Sequence, residues 1–200
     1  NCKLIIENLF VVSKIGEKPI LIPEGVDIKI QGRSIQVRGE KGSLSLAIPE
    51  GIKVEEQGNQ LVVSRGNNSQ QTKALHGTIR QLINNMVTGV QKEWVKKLKI
   101  VGTGYNASLS DGNLILNLGL SHPVTISLLE GIRFEVEKDI VCVMGCDRAQ
   151  VGKIAAEIRN LRLPDVYKGK GIRYLDEVIK LKPGKAAKTG EGIGESIAKS

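Results

Sequence analysis

Aromatic side chains make up only 3% of this 200-residue chain, so the core it builds has to be aliphatic, made of Ile, Val and Leu. Cysteine is scarce as well. Cys2, Cys142 and Cys146 are odd in number, form no disulfide framework and fit a reducing compartment. No second Cys or His pair stands at ligand spacing from Cys142 and Cys146, so they read as buried or idle thiols and no metal site is predicted. The only histidines are His76 and His122, and neither adjoins a Ser or Cys in a triad setting. His122 lies in Leu120-Ser121-His122-Pro123, a turn in which a backbone-bonded imidazole is the ordinary expectation. Glu50 and Glu130 read as turn residues, not as an acid–base pair. Val101-Gly102-Thr103-Gly104-Tyr105 looks like a nucleotide loop, but it lacks the third glycine and a strand follows where a helix is needed. No run approaches the roughly 20 apolar residues that cross a membrane. Catalysis, cofactor chemistry and a membrane partner all lack a sequence basis.

Charge is what the chain does have. Lys and Arg number 29 against 21 Asp and Glu, a net charge of +8 and a pI near 9.4, in a chain that is neither low-complexity nor poor in hydrophobics. That balance suggests a folded protein with a polyanionic partner. Between Arg159 and Lys188 stand nine Lys or Arg against Asp165, Asp176 and Glu177, which is +6 of the total. A second cluster, Lys92, Lys96, Lys97 and Lys99, surrounds Trp94. There Trp94 is expected to be packed between two units, with the lysines solvated.

Laid over itself at an offset of 80 residues, the chain repeats. Gly32-Arg33-Ser34-Ile35 faces Gly112-Asn113-Leu114-Ile115, and Glu50-Gly51-Ile52-Lys53 faces Glu130-Gly131-Ile132-Arg133. After a one-residue slip, Ile79-Arg80-Gln81-Leu82 faces Ile158-Arg159-Asn160-Leu161. This predicts an α+β fold of two tandem duplicated units, each a small, mostly antiparallel sheet packed against one helix. In the first unit, 26–30, 34–38 and 43–46 alternate apolar with polar as half-buried strands do. A helix is expected over 69–87, closed by Gly89. In the second, strands are expected over 105–109, 114–118, 124–128, 133–136 and 140–144. A helix capped by Asp147 should follow and run to about Arg162, stopped by Pro164. The division is therefore 1–11 as an N-terminal extension, 12–92 and 93–185 as the two units, and 186–200 as a disordered tail. Residues 1–11 have no continuous apolar region and no small-residue cleavage site, so they are not read as a signal peptide. The mature chain is expected to start at Val12, from a non-AUG codon, with the preceding residues as upstream translation.

Pro164-Asp165-Val166-Tyr167-Lys168-Gly169-Lys170-Gly171-Ile172-Arg173-Tyr174 concentrates the chemistry. Glycines let a backbone approach a partner, and Lys and Arg offer charge to phosphate oxygens, Arg as a planar fork. Tyrosine faces suit a base or ribose. A solvated face is the ordinary meaning of a charge run. Here the charges interleave with Gly and Tyr and follow a proline stop, which points to RNA. Two rival readings make different predictions: a general nucleic-acid binder would take duplex DNA equally well, and an enzyme using Gly102 and Gly104 would bind a nucleotide saturably.

The run PDVYKGKGIRY resembles the C-terminal signature of the bacterial-type sixth protein of the large ribosomal subunit. SKIGEKPILIPEGV, HGTIRQLINNMVTGV, KKLKIVGTGYNASL, LNLGLSHPV and VGKIAAEIRNLRLP are similar to further segments of that family. The likeness extends from about Ser13 to Lys185, and the duplication is itself a family trait. It implies a non-enzymatic constituent of the large subunit, without cofactor or small-molecule substrate, in the bacterial cytoplasm or an organelle ribosome. Its partners would be large-subunit ribosomal RNA, contacted mainly by the second unit near the sarcin–ricin loop and the stalk base, and neighbouring large-subunit proteins. Carried over by motif, the RNA-binding residues are Tyr167, Lys168, Gly169, Lys170, Gly171, Arg173 and Tyr174. Arg159 and Arg162 lead into the motif, and Lys180 and Lys182 come after it. Asp165-Val166 stands where the family has Glu-Pro, and Ile179-Lys180-Leu181-Lys182-Pro183 replaces an Arg-Arg-Lys-Ala run.

Overall fold

The computed structural model describes residues 15–184; the expectations for 1–11 and 186–200 lie outside them. Alternation of apolar and polar residues produces the first set of strands. They are β1 (Ile20–Leu21), β2 (Asp27–Gln31), β3 (Ser34–Gly39), β4 (Gly42–Ala47), β5 (Ile52–Gln57) and β6 (Gln60–Arg65). Helix α1 (Gln70–Gln91) comes next. The second repeat contains β7 (Trp94–Val101), β8 (Asn106–Ser110), β9 (Asn113–Asn117), β10 (Val124–Ile126), β11 (Ile132–Glu137) and β12 (Ile140–Gly145), then α2 (Arg148–Leu161) and β13 (Gly171–Tyr174).

All strand pairs are antiparallel, and the duplication is visible in their register. Ile52 lies opposite Arg65 and Gln57 opposite Gln60 in the first repeat, as Ile132 lies opposite Gly145 and Glu137 opposite Ile140 in the second. Each repeat holds two small sheets rather than one. The orders are β2-β3-β4 and β1-β6-β5 in the first, β10-β9-β8 and β11-β12-β7-β13 in the second. The division falls after β4 and β10. There Gly51 and Gly131 turn through left-handed backbone (φ +84° and +79°), and Pro49 offers no N–H to extend a ladder. Each helix closes an aliphatic core. Ile79, Ile83 and Val87 meet Ile35, Val37 and Leu61, while Ile154, Ala155 and Ile158 meet Leu98, Val143 and Ile172.

Ser69 caps α1, its hydroxyl accepting from Thr72 N at 3.2 Å, and Asp147 caps α2 by accepting from Ala149 N at 2.8 Å. α2 ends at Leu161, shortly before Pro164. Gly89 does not close α1, which runs on to Gln91. Gly89 is buried inside the helix, where a Cβ would stand 2.0 Å from the Cys146 carbonyl oxygen. Its small size serves close packing of the two repeats. Within the first repeat Lys41 N donates to Val90 O at 3.1 Å, and across the junction the Cys146 thiol donates to Lys41 O at 2.9 Å. Trp94 is half-buried at this junction; its Nε1 donates to Asn85 O at 3.2 Å, and the Arg148 guanidinium lies 4.8 Å from its ring centroid. The packing role expected for Trp94 is the one it has.

Cys142 and Cys146 are buried, and burial is the chief cause pushing both thiols above their ordinary pKa. The backbone-bonded imidazole belongs to His76, whose Nε2 lies 2.9 Å from Val63 O; His122 is exposed in its turn.

Candidate nucleic-acid interface

Past Leu161 the chain cannot stay helical, because Pro164 lacks an N–H and its ring excludes the preceding turn. Asp165 then organises a compact loop. Its carboxylate oxygens accept from Tyr167 N and Lys168 N, both at 3.1 Å, and its carbonyl accepts from Gly169 N at 2.8 Å. Its own N–H donates to Lys170 O at 2.9 Å, which closes the loop. Those two backbone donors, Tyr167's first, hold the Asp165 carboxyl below the ordinary aspartate range. Gly169 completes the turn with φ +70°. Tyr167, Lys168 and Lys170 are left exposed on a backbone that is hydrogen-bonded within itself.

The stem of this loop is tight. Gly171 is buried with φ +145°, and a Cβ there would stand 2.6 Å from both Leu163 O and Pro164 Cα. Ile172 N donates to Arg162 O at 2.8 Å, so β13 leaves the loop beside the end of α2. β13 then joins the edge of the sheet against β7, Gly171 opposite Val101 and Tyr174 opposite Leu98. Among the described residues the first repeat has no strand like it, since there β1 takes the place next to β6 that β7 takes next to β12.

Pairing with β7 brings the loop onto Val101–Tyr105. Lys170 Nζ donates to Thr103 Oγ1 at 3.2 Å, and Arg162 Nε donates to the Tyr105 hydroxyl at 3.2 Å. Tyr105, Asn160, Arg162, Leu163, Asp165 and Lys170 border a shallow hollow of about 470 Å³. Thr103 and Tyr105 escape a sequence reading that weighs the Gly102/Gly104 loop only as a nucleotide site. The signal was the glycine pair, and its role is a turn, with Tyr105 N donating to Gly102 O at 3.3 Å. Lys180 and Lys182 are exposed on the returning segment, where Lys182 N donates to Val166 O at 2.9 Å.

Arg159 and Tyr174 stand apart from this exposed set. Arg159 makes a two-pronged pair with Glu177, at 2.9 and 2.6 Å, and Tyr174 N donates to the same carboxylate at 3.2 Å. Two cations lie near the Tyr174 ring, the Arg159 guanidinium carbon 5.6 Å and Lys96 Nζ 5.7 Å from its centroid. The Arg159 side chain lowers the Glu177 pKa, and the carboxylate in turn raises that of Arg159. Arg173 points the other way, onto the outer face of the sheet, because Ile172 beside it is fully buried. Among the described residues, no group of three or more His, Cys, Asp or Glu could hold a metal ion.

The family model of ribosomal protein L6 matches residues 22–93 and 101–175, that is, both repeats. The chain is 50% identical over 181 residues to a large ribosomal subunit protein uL6 of Caldicellulosiruptor saccharolyticus, covering 90% of this chain and 100% of that one. It is 51% identical over 179 residues to the uL6 protein of Thermodesulfovibrio yellowstonii, with 88% and 99% covered. For that of Persephonella marina the identity is 47% over 176 residues, with 88% and 98% covered. Two repeats in matching register, with one basic strand added to the second, thus coincide with a near full-length likeness, and the chain belongs to the ribosomal protein L6 family.

Proposed function

We propose that this protein grips large-subunit ribosomal RNA through the loop 165–170 and its flanks, close to the factor-binding region of the subunit. As a member of its family it is a structural constituent of the large ribosomal subunit and not an enzyme, and the ribosome is where it resides. One observation carries the finer reading. The Asp165-capped loop holds Tyr167, Lys168 and Lys170 outward while bonding its own backbone, so little reorganisation is needed before phosphate oxygens are met. Arg162, Arg173, Lys180 and Lys182 extend the cationic surface around it. Gly169 keeps the loop tight. Gly171, Arg159 and Tyr174 act as positioning residues that fix the stem. Neighbouring large-subunit proteins complete the set of partners.

Backbone and groove recognition suits such a Lys- and Gly-rich loop better than base reading, which needs splayed bases. If four or five cations meet phosphates, log affinity falls with log salt at a slope of roughly −3 to −4.5. The test is sedimentation of the tagged chain from lysate, beside a variant carrying Lys168→Ala, Lys170→Ala and Arg173→Ala. The wild type should travel with the large subunit through a moderate-salt wash, and the variant should stay at the top of the gradient. Co-sedimentation of both would leave the ribosomal assignment standing and refute this grip.

A further inference from the structure

The outer face of the four-stranded sheet carries charged side chains of both signs, with Cys142 buried between Lys97 and Glu135. Leu98, Ile100 and Ile172 point inward, at 0%, 5% and 0% exposure, so Lys97, Lys99 and Arg173 point outward by strand alternation. The pairing of β13 with β7 puts Arg173 directly opposite Lys99, and Leu175 N donates to Lys97 O at 3.1 Å. Like charges facing each other across a strand pair destabilise it. No salt bridge is made by Lys97, Lys99 or Arg173 among the described residues, and the nearest relief for Arg173 is the more distant charge of Glu177, already paired with Arg159.

The acids of this face lie on the far strand. Lys97 is followed across the sheet by Cys142 and then Glu135, and Lys99 by Ile140 and then Glu137. Two strand spacings put those backbones roughly 10 Å apart. The face is therefore polarised, acidic along β11 and basic along β7 and β13. A polyanion lying along the basic half would offset the repulsion that the strand pairing creates.

We propose that Lys97, Lys99 and Arg173 form a second RNA-binding strip on the outer face of this sheet, continuous with the loop through Gly171 and taking successive phosphates of one backbone. Lys97 and Lys99 are about 7 Å apart along the strand, a spacing that lets each meet its own phosphate. The proposal rests on the reading of RNA as the ligand, and it assigns a role to lysines that the sequence presents only as solvated neighbours of Trp94. The β11 carboxylates bound the strip on its other side.

The test measures binding of the full chain to deproteinised large-subunit RNA across about 50 to 200 mM salt. Compared with wild type are Lys97→Gln/Lys99→Gln, Lys97→Arg/Lys99→Arg, Glu135→Gln/Glu137→Gln and the loop variant Lys168→Ala/Lys170→Ala. The glutamine pair at 97 and 99 should bind about tenfold more weakly, with a salt slope shallower by about 1.4 to 1.8 and undiminished resistance to urea. The arginine pair should restore binding, and loss of the two β11 carboxylates should tighten it. Unchanged affinity and slope for the 97/99 glutamine pair, beside a weakened loop variant, would overturn the strip and leave the loop standing. Weakening of the 97/99 pair alone would support the strip and overturn the loop. No effect in either, or no binding by wild type, would overturn both.

Discussion

Gly169 and Gly171 are both written into the basic motif, yet different forces act on them. Gly169 has open surroundings, its nearest prospective neighbour being Leu181 Cδ2 at 3.5 Å, and it needs only its left-handed φ. Gly171 needs both its φ and its missing Cβ, because Leu163 O and Pro164 Cα, backbone atoms that cannot swing away, crowd the position. Gly171→Ala should therefore cost about 2–4 kcal/mol of stability, from overpacking and backbone strain together. Gly152→Ala, on α2 with nothing near the new methyl, should be neutral or stabilise by up to about 1 kcal/mol. Urea denaturation of the two variants checks the contrast, and equal midpoints would refute it. Spacing cannot separate such glycines, since one letter serves for a turn, a close approach or neither.

Among the elements, β13 is the addition that distinguishes the second repeat, and a clasp keeps it in place. In the first repeat Arg80, which occupies the position of Arg159, donates to the carbonyls of Lys18 and Pro19 at 3.0 and 3.4 Å and so ties the incoming chain to α1. In the second, Arg159 reaches Glu177 and ties the segment after β13 to α2. Duplicated helices thus carry the same anchor to different chains. Glu177 has its pKa lowered chiefly by Arg159. Its contribution to stability is therefore fully present above the ordinary glutamate pKa of about 4.3 and is lost as pH falls through the lower folded value. Glu177→Gln should lower the urea midpoint at pH 7 and erase this part of the acid dependence below about pH 5. A wild type and variant whose midpoints fall in parallel on acidification would refute the clasp. Beside the clasp, β7 and β13 were not among the expected strands, although α2 was legible from helical spacing. The clasp was not, because its partners are 18 residues apart on a helix and a loop whose approach no local pattern encodes.

Across the whole molecule, the repeats are held by small residues and backbone contacts at one junction. Gly89 meets the Cys146 carbonyl and Trp94, and the β3–β4 turn, tied to Val90 of its own repeat, meets Cys146 of the other. In an isolated helix Gly89→Ala would stabilise by about 1 kcal/mol; here it should destabilise by about 1–3 kcal/mol, because the methyl forces two backbones apart. Thermal unfolding followed by circular dichroism checks the sign, and a raised midpoint would refute close packing at this point. The expectation that Gly89 ends α1 failed for the same reason. A buried glycine near a helix end looks like a cap when the neighbouring repeat is not in view.

Sequence by itself determined both helices, strands β2–β4 and β8–β12, the offset of 80 between the repeats, the aliphatic cores and the excess of positive charge toward the C-terminus. All of these arise from side-chain periodicity, turn chemistry and composition, which act over a few residues or simply add. Only the tertiary structure decided which cations share a surface: Arg159 turned inward to Glu177, Lys170 set against Thr103, and Arg173 laid beside Lys99. It also decided that each repeat splits its strands between two sheets. Such outcomes depend on which strand edges pair and in what register. That choice is made by burial of the whole core, where a shift of one residue turns every side chain to the opposite face.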